Sequence, residues 1–211
     1  DFNPFYASFK ILKQTVTRKE IRALMLLISF FWFSGAIYFS IAPAYGRTLL
    51  QADQWAIVLL NAALTLGIGI GSLICSRVSQ TTLRPMILVP YASLLMAIAA
   101  SSIWFVASPE SPTSALTINE FFLEKSAIVF FLQLVFIGAA GALFVIPLYT
   151  ELQQNTLTAN KARSFAALNI FNSLFIVGAT GFIALLYRLG LDLPQMFAIA
   201  ATGALGAAGF A

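Results

Sequence analysis

Long apolar runs alternate with short polar ones along the whole chain, and their lengths set the class. Six runs stand out, at residues 21–45, 55–76, 85–107, 126–148, 165–187 and 194–211. Each offers roughly 18–25 residues, which at a helical rise of about 1.5 Å covers a hydrocarbon layer about 30 Å thick. No acid or base falls in the middle of any of them. A backbone in hydrocarbon must satisfy its own hydrogen bonds, so each run predicts a membrane-crossing helix. The expected fold class is an all-α membrane protein with six transmembrane helices.

The polar segments between the runs carry weaker patterns. Ahead of the first run, Phe5, Phe9, Leu12 and Val16 recur at helical intervals, with Lys10, Lys13, Arg18 and Lys19 placed elsewhere. Residues 1–20 are therefore expected to form an amphipathic connector lying in the headgroup layer, its cations near anionic lipid. A juxtamembrane linker and a lipid-recruiting element both fit that pattern. The segment after the third run opens with the turn-rich Ser108-Pro109-Glu110-Ser111-Pro112 and is acidic, with Glu110, Glu120 and Glu124. Within it, Thr117-Ile118-Asn119-Glu120 has the form of a capping box opening a short surface helix. The stretch 149–163 is polar, and its Gln153, Gln154, Asn155 and Asn160 suit helix capping or headgroup contact equally.

Charge orients this arrangement. With alternating helix ends, one face collects Lys10, Lys13, Arg18, Lys19, Arg22, Arg77, Arg84, Lys161 and Arg163, the other Arg47, Lys125 and Arg188. Basic residues accumulate on the cytoplasmic side, so both ends of the segment are expected to face the cytoplasm. The net charge of +4 is thereby accounted for without nucleic acid. Composition agrees: 60% of residues are hydrophobic and 9% charged, against about 25% charged in soluble domains. With no histidine and one cysteine, Cys75, the chain lacks the residues for a disulfide framework, a zinc or haem site, or a His-dependent hydrolase. No cofactor and no catalytic group is expected. The chain begins Asp1-Phe2-Asn3-Pro4 and stops inside an apolar run, so we expect it to be cut from a longer one.

Glycines recur at helix-packing spacing: Gly67, Gly69 and Gly71; Gly138 and Gly141; Gly178 and Gly181; Gly203, Gly206 and Gly209. Such stripes let backbones approach where hydrophobicity supplies no drive, and they also suit surfaces that slide as bundles rock. Among six-helix membrane proteins, an ATP-driven exporter domain calls for long cytoplasmic helix extensions, and the inner loops here are short. A channel calls for a filter segment, and none is visible. Half of a carrier fits best, since many carriers are built from two six-helix halves.

Specific stretches point the same way. Phe30-Phe31-Trp32-Phe33-Ser34-Gly35-Ala36 followed by Pro43-Ala44-Tyr45-Gly46-Arg47 resembles the seventh span of major facilitator carriers that move lysophospholipids. Gly67-Ile68-Gly69-Ile70-Gly71-Ser72-Leu73-Ile74-Cys75-Ser76-Arg77, with Leu88-Val89-Pro90 after it, resembles the next spans. Gly141 through Gln154, with Arg163, Asn169 and Asn172 behind it, is similar to the tenth-to-eleventh-span region, in particular of versions fused to a 2-acylglycerophosphoethanolamine acyltransferase. The resemblance covers about residues 20–187. It implies the C-terminal half of a twelve-helix major facilitator fold in a bacterial inner membrane. The implied activity is inward movement of lysophospholipid, chiefly lysophosphatidylethanolamine, for re-acylation. The implied partners are the lysophospholipid, membrane lipid, the missing N-terminal six-helix half and a fused or associated acyltransferase. Two features depart from the family pattern. The cytoplasmic loop signature has Asp four residues after its glycine, where Cys75 stands here, followed by Arg77 and Arg84. Some relatives also carry an arginine near the position of Tyr38.

Candidate site residues follow from polarity inside apolar runs, because an amide in hydrocarbon is costly unless partnered. Asn169 and Asn172, three residues apart on one helix face, are the first candidates for a headgroup or gate contact. Gln133, Asn61 and Tyr38 are the others, with Arg77, Arg84 and Arg163 in the cytoplasmic loops. Phe30, Phe31 and Phe33 would suit an acyl slot or ordinary packing. With no carboxylate inside a run, any ion-coupling acid is expected in the missing half. Two alternatives remain open: a carrier of another small solute or drug, and a non-transporting membrane anchor for a fused acyltransferase.

Overall fold

The structure, a computed structural model, describes residues 18–81, 85–106, 117–157 and 161–208. Nearly all of the expected connector, together with Arg84, Glu110 and Asn160, lies outside those residues. The described chain is helical. Helix α1 is Lys19–Thr48 and α2 is Gln54–Thr81. A 3₁₀ turn at Pro85–Ile87 leads into α3, Leu88–Val106. A single turn, α4, at Ile118–Phe121 precedes α5, Lys125–Asn155, then α6, Lys161–Arg188, and α7, Leu193–Ala208.

Helices α1, α2, α3, α5 and α6 are each long and apolar enough to cross a bilayer. Helix α7 lies in the sixth expected span, and its 16 described residues are apolar. The helices also overrun the apolar runs. The stretch 149–163, expected as a loop, is helix through Asn155 and again from Lys161. Hydropathy marks where hydrocarbon ends, not where helix ends. The extension is built of good helix formers such as Glu151, Leu152 and Gln153, and Asn155 Nδ2 donates to the Glu151 carbonyl and carboxylate at 3.1 and 2.6 Å.

Successive long helices run in alternating directions. At one end the Arg18 guanidinium donates to the Asn155 carbonyl at 3.5 Å. Toward the other, the rings of Tyr45 and Phe130 stack with centroids 4.0 Å apart. Arg18, Lys19, Arg22, Arg77, Lys161 and Arg163 thus share what we call the basic end. Three acids at the opposite end, Asp53, Glu124 and Asp192, have a common role. Asp53 Oδ1 accepts from the Ala56 N–H at 2.7 Å, Glu124 Oε1 from the Ser126 N–H at 3.4 Å, and Asp192 Oδ1 from the Gln195 N–H at 2.8 Å. Each begins a helix running toward the basic end, where a carboxylate satisfies an orphan N–H and meets the positive end of the helix dipole.

The expected capping box at Thr117 is present, the Glu120 carboxylate accepting from the Thr117 N–H at 3.0 Å and from its hydroxyl at 2.8 Å. These bonds hold the Glu120 carboxyl below its ordinary value. A carboxyl lowered on folding stabilises the fold fully above its unfolded value, and that contribution is lost as pH falls through the folded one. Amide protection at Phe121, measured by hydrogen exchange, is therefore expected to hold at neutral pH and decline in acid, and Thr117→Val should weaken it at neutral pH.

Packing follows the small residues. Helix α2 lies chiefly on α5, α3 on α7 and α5, and α6 mainly on α1. At the α2–α5 crossing a Cβ on Gly67 would strike the Val135 carbonyl, one on Gly71 the Ala139 carbonyl, and one on Gly138 the Leu64 carbonyl. The two backbones are in contact there, which larger residues forbid. Two buried clusters result. One, toward the basic end, includes Met25, Ile28, Phe144, Leu148 and Leu168. The other includes Tyr38, Tyr45, Leu60, Phe130 and Phe197.

Candidate functional site: an apolar cavity beside a polar network

Between α1, α2, α5 and α6 lies a cavity of about 460 Å³, inside the roughly 300–1,000 Å³ range of small-molecule pockets. Helix α1 contributes Phe31, Trp32, Ser34, Gly35, Tyr38 and Phe39; α2 adds Leu64 and Ile68; α5 adds Ile137, Gly138, Gly141, Val145 and Tyr149. Met96 of α3 and Ile176 of α6 complete the wall. Glycine makes the space: a Cβ at Gly35 would meet nothing within 4 Å, while one at Gly141 would come within 3.0 Å of the Phe31 ring. The lining is almost wholly apolar and contains no charged side chain. Trp32, Phe39 and Ile176 are exposed, so the cavity opens past them.

Toward the basic end a polar network lies beside the cavity. Ser29 Oγ sits 2.8 Å from the Asn172 side-chain amide. The amide orientation that satisfies its neighbours donates to Ser29 Oγ and to the Leu168 carbonyl at 3.3 Å, and accepts from Trp32 Nε1 at 3.2 Å. Trp32 Nε1 also lies 3.1 Å from the Tyr149 hydroxyl. Four residues from α1, α5 and α6 thereby form one network beside the cavity. Asn172 and Ser29 are buried, Trp32 exposed. Tyr149 stacks on Phe165, ring centroids 6.4 Å apart.

The sequence-expected residues separate on this frame. Asn172 is in the network. Asn169, one turn earlier, is exposed, and its amide makes no hydrogen bond among the described residues. Three residues along a helix rotate the side chain by about 60° short of a full turn, enough to put one amide at the α1 interface and leave its neighbour outside. Gln133 is away from the cavity, donating to Ser102 Oγ at 2.9 Å across the α3–α5 interface. Asn61 is half-buried, and its amide oxygen has no partner among the described residues. Tyr38 is in the cavity wall, with its hydroxyl buried and likewise unpartnered. Arg77 and Arg163 are exposed at the basic end. Cys75 is buried, its sulfur 3.9 Å from Ser79 Oγ. Ser29, Ser34, Trp32 and Tyr149 escape a search for amides in apolar runs, although Ser29 and Trp32 stand three apart, on one helix face.

The chain matches no protein-family model, no curated protein and no solved structure.

Proposed function

We propose that this chain is half of a membrane carrier for a single-chain amphiphile, with lysophospholipid, lysophosphatidylethanolamine foremost, as the cargo. The observation that carries the reading is the cavity itself, an apolar slot with the Ser29–Asn172–Trp32–Tyr149 network at one edge. An acyl chain needs an apolar lining, and a headgroup needs polar contacts beside it. The chain would act as a carrier and not as an enzyme.

The exposed faces around the cavity favour a larger assembly. Asn169, Ser173 and Thr180 follow one face of α6, and Asn61, Thr65, Ser72 and Ser76 follow one face of α2. Ile176, Leu64 and Ile68, which line the cavity, sit among those two sets. Polar stripes in a bilayer face a water-filled space or another protein surface in preference to lipid. A second six-helix half closing over the cavity, giving a twelve-helix major facilitator arrangement with α7 as the sixth span, supplies such a surface. Membership of that fold, a bacterial inner membrane and cytoplasmic chain ends belong to this proposal.

The test is uptake of labelled lysophosphatidylethanolamine into proteoliposomes holding the intact parent protein, beside empty liposomes and a drug-like control. Selective uptake supports the reading. Uptake of the control alone points to another solute, and absence of uptake by folded protein to a lipid anchor for an acyltransferase.

A further inference from the structure

The cavity wall holds two polar groups that the network described above does not use. Ser34 and Tyr38 stand four residues apart on one face of α1, about 6 Å along its axis. Both line the cavity and both are about 2% exposed. The Tyr38 hydroxyl is buried without a hydrogen-bond partner, and Ser34 makes no hydrogen bond among the described residues. Other serines inside these helices close on a carbonyl one turn back, as Ser40 does on Ala36 at 2.8 Å and Ser72 on Ile68 at 2.7 Å. A buried hydroxyl without a partner is destabilising, and native structures keep few. A phenylalanine at position 38 would keep the stack against Phe197, whose ring centroid is 5.9 Å away, without that penalty.

We infer that Ser34 and Tyr38 form a subsite for an uncharged oxygen-bearing group of the cargo, such as a hydroxyl or an ester carbonyl. The charge balance selects that class. No cationic side chain lines the cavity, and a phosphate taken from water into such surroundings is strongly unfavourable without one. The subsite therefore grips the neutral linker between chain and headgroup, and the phosphate stays outside the slot. Tyr38 Oη offers one donor and acceptor capacity, and Ser34 Oγ offers the same. Together they match a hydroxyl beside an ester.

This inference rests on the carrier reading, and its test separates the two. The intact parent protein in nanodiscs is titrated with two probes. One is 1-palmitoyl-lysophosphatidylethanolamine; the other is hexadecylphosphoethanolamine, which has the same headgroup and no glycerol hydroxyl or ester. The wild type is expected to prefer the glycerol-bearing probe. Tyr38→Phe and Ser34→Ala should each weaken its binding about three- to tenfold, the worth of one hydrogen bond, while binding of the second probe stays within twofold. Thermal stability of each variant, expected to match or exceed wild type, excludes misfolding as the cause. Unchanged preference in both variants, or equal loss of both probes in stable variants, overturns the subsite and leaves the carrier reading standing. Failure of the wild type to bind either probe overturns both.

Discussion

Gly138→Leu is expected to prevent α2 and α5 from packing. The Cβ alone would collide with the Leu64 carbonyl and approach the Ile68 amide nitrogen to 3.0 Å. The obstacles are backbone atoms of a helix held by its own hydrogen bonds, so no rotamer change relieves them. Overpacking in a rigid core costs about 1–3 kcal/mol, and a branched side chain against backbone belongs at or above the top of that range. In a chain of this size about 3 kcal/mol lowers the unfolding midpoint by about 10 °C. Fluorescence-detected size-exclusion after heating would show this as an early loss of the monodisperse peak. Gly67→Ala and Gly71→Ala should do the same to a smaller degree. Gly178→Ala and Gly181→Ala are the contrast, since a Cβ at either meets nothing within 4 Å. They should leave the midpoint unchanged or raise it slightly, alanine being the better helix former by about 1 kcal/mol. If all five behaved alike, the close α2–α5 crossing would be refuted.

Asn172→Leu is the second large effect. Helix α6 packs mainly on α1, and Asn172 is its buried polar tie to Ser29 and Trp32. Leucine keeps the branched shape, is bulkier, and leaves the Ser29 hydroxyl without its partner across the interface. A buried group so stranded costs about 1–3 kcal/mol. Ser29→Ala in the same background should recover part of the loss, because removing both partners is gentler than removing one. A double-mutant cycle on thermal unfolding reads that coupling directly. On the carrier reading, Asn172→Leu together with Asn169→Leu also lowers lysophospholipid uptake, since the network edges the cavity. Full uptake by the double variant would remove these residues from the transport path. Asn169→Leu alone should leave stability unchanged, its side chain being exposed.

The two amides mark where reading along the chain stops working. Both are asparagines in the same apolar run, at a spacing that suggests one shared face. Burial separates them, because α1 covers one side of α6 and nothing described covers the other. Gln133 is the same kind of signal with a different outcome: its amide bridges α3 and α5 away from the cavity. The acids behave oppositely. Glu120 was recognisable as a capping residue from its spacing to Thr117, whereas Asp53 and Asp192 needed the helix starts beside them to be known.

The cavity residues show the limit most clearly. Trp32 and Tyr149 are 117 positions apart, and no periodicity within either helix brings them together. Ser34 and Tyr38 are legible as neighbours on α1, but their lack of partners is a property of everything packed around them. The glycines divide in the same way. Gly67, Gly71 and Gly138 face backbone, while Gly69, Gly178 and Gly181 face open space, and the spacing in the chain is alike for both groups.

What the chain determines by itself is therefore one-dimensional: apolar length, charge at run ends, helix formation and the capping of Thr117 by Glu120. Those depend on the transfer of side chains from water and on hydrogen bonds within a few residues, both readable from local order. What the tertiary structure decides is which glycines touch, which amide is buried, how far helices extend past their apolar runs, and where a cavity remains. These depend on the rotation of each helix about its axis. Between apolar helices in lipid, that rotation is selected by close packing and by a few interhelical hydrogen bonds, and hydropathy is nearly blind to both.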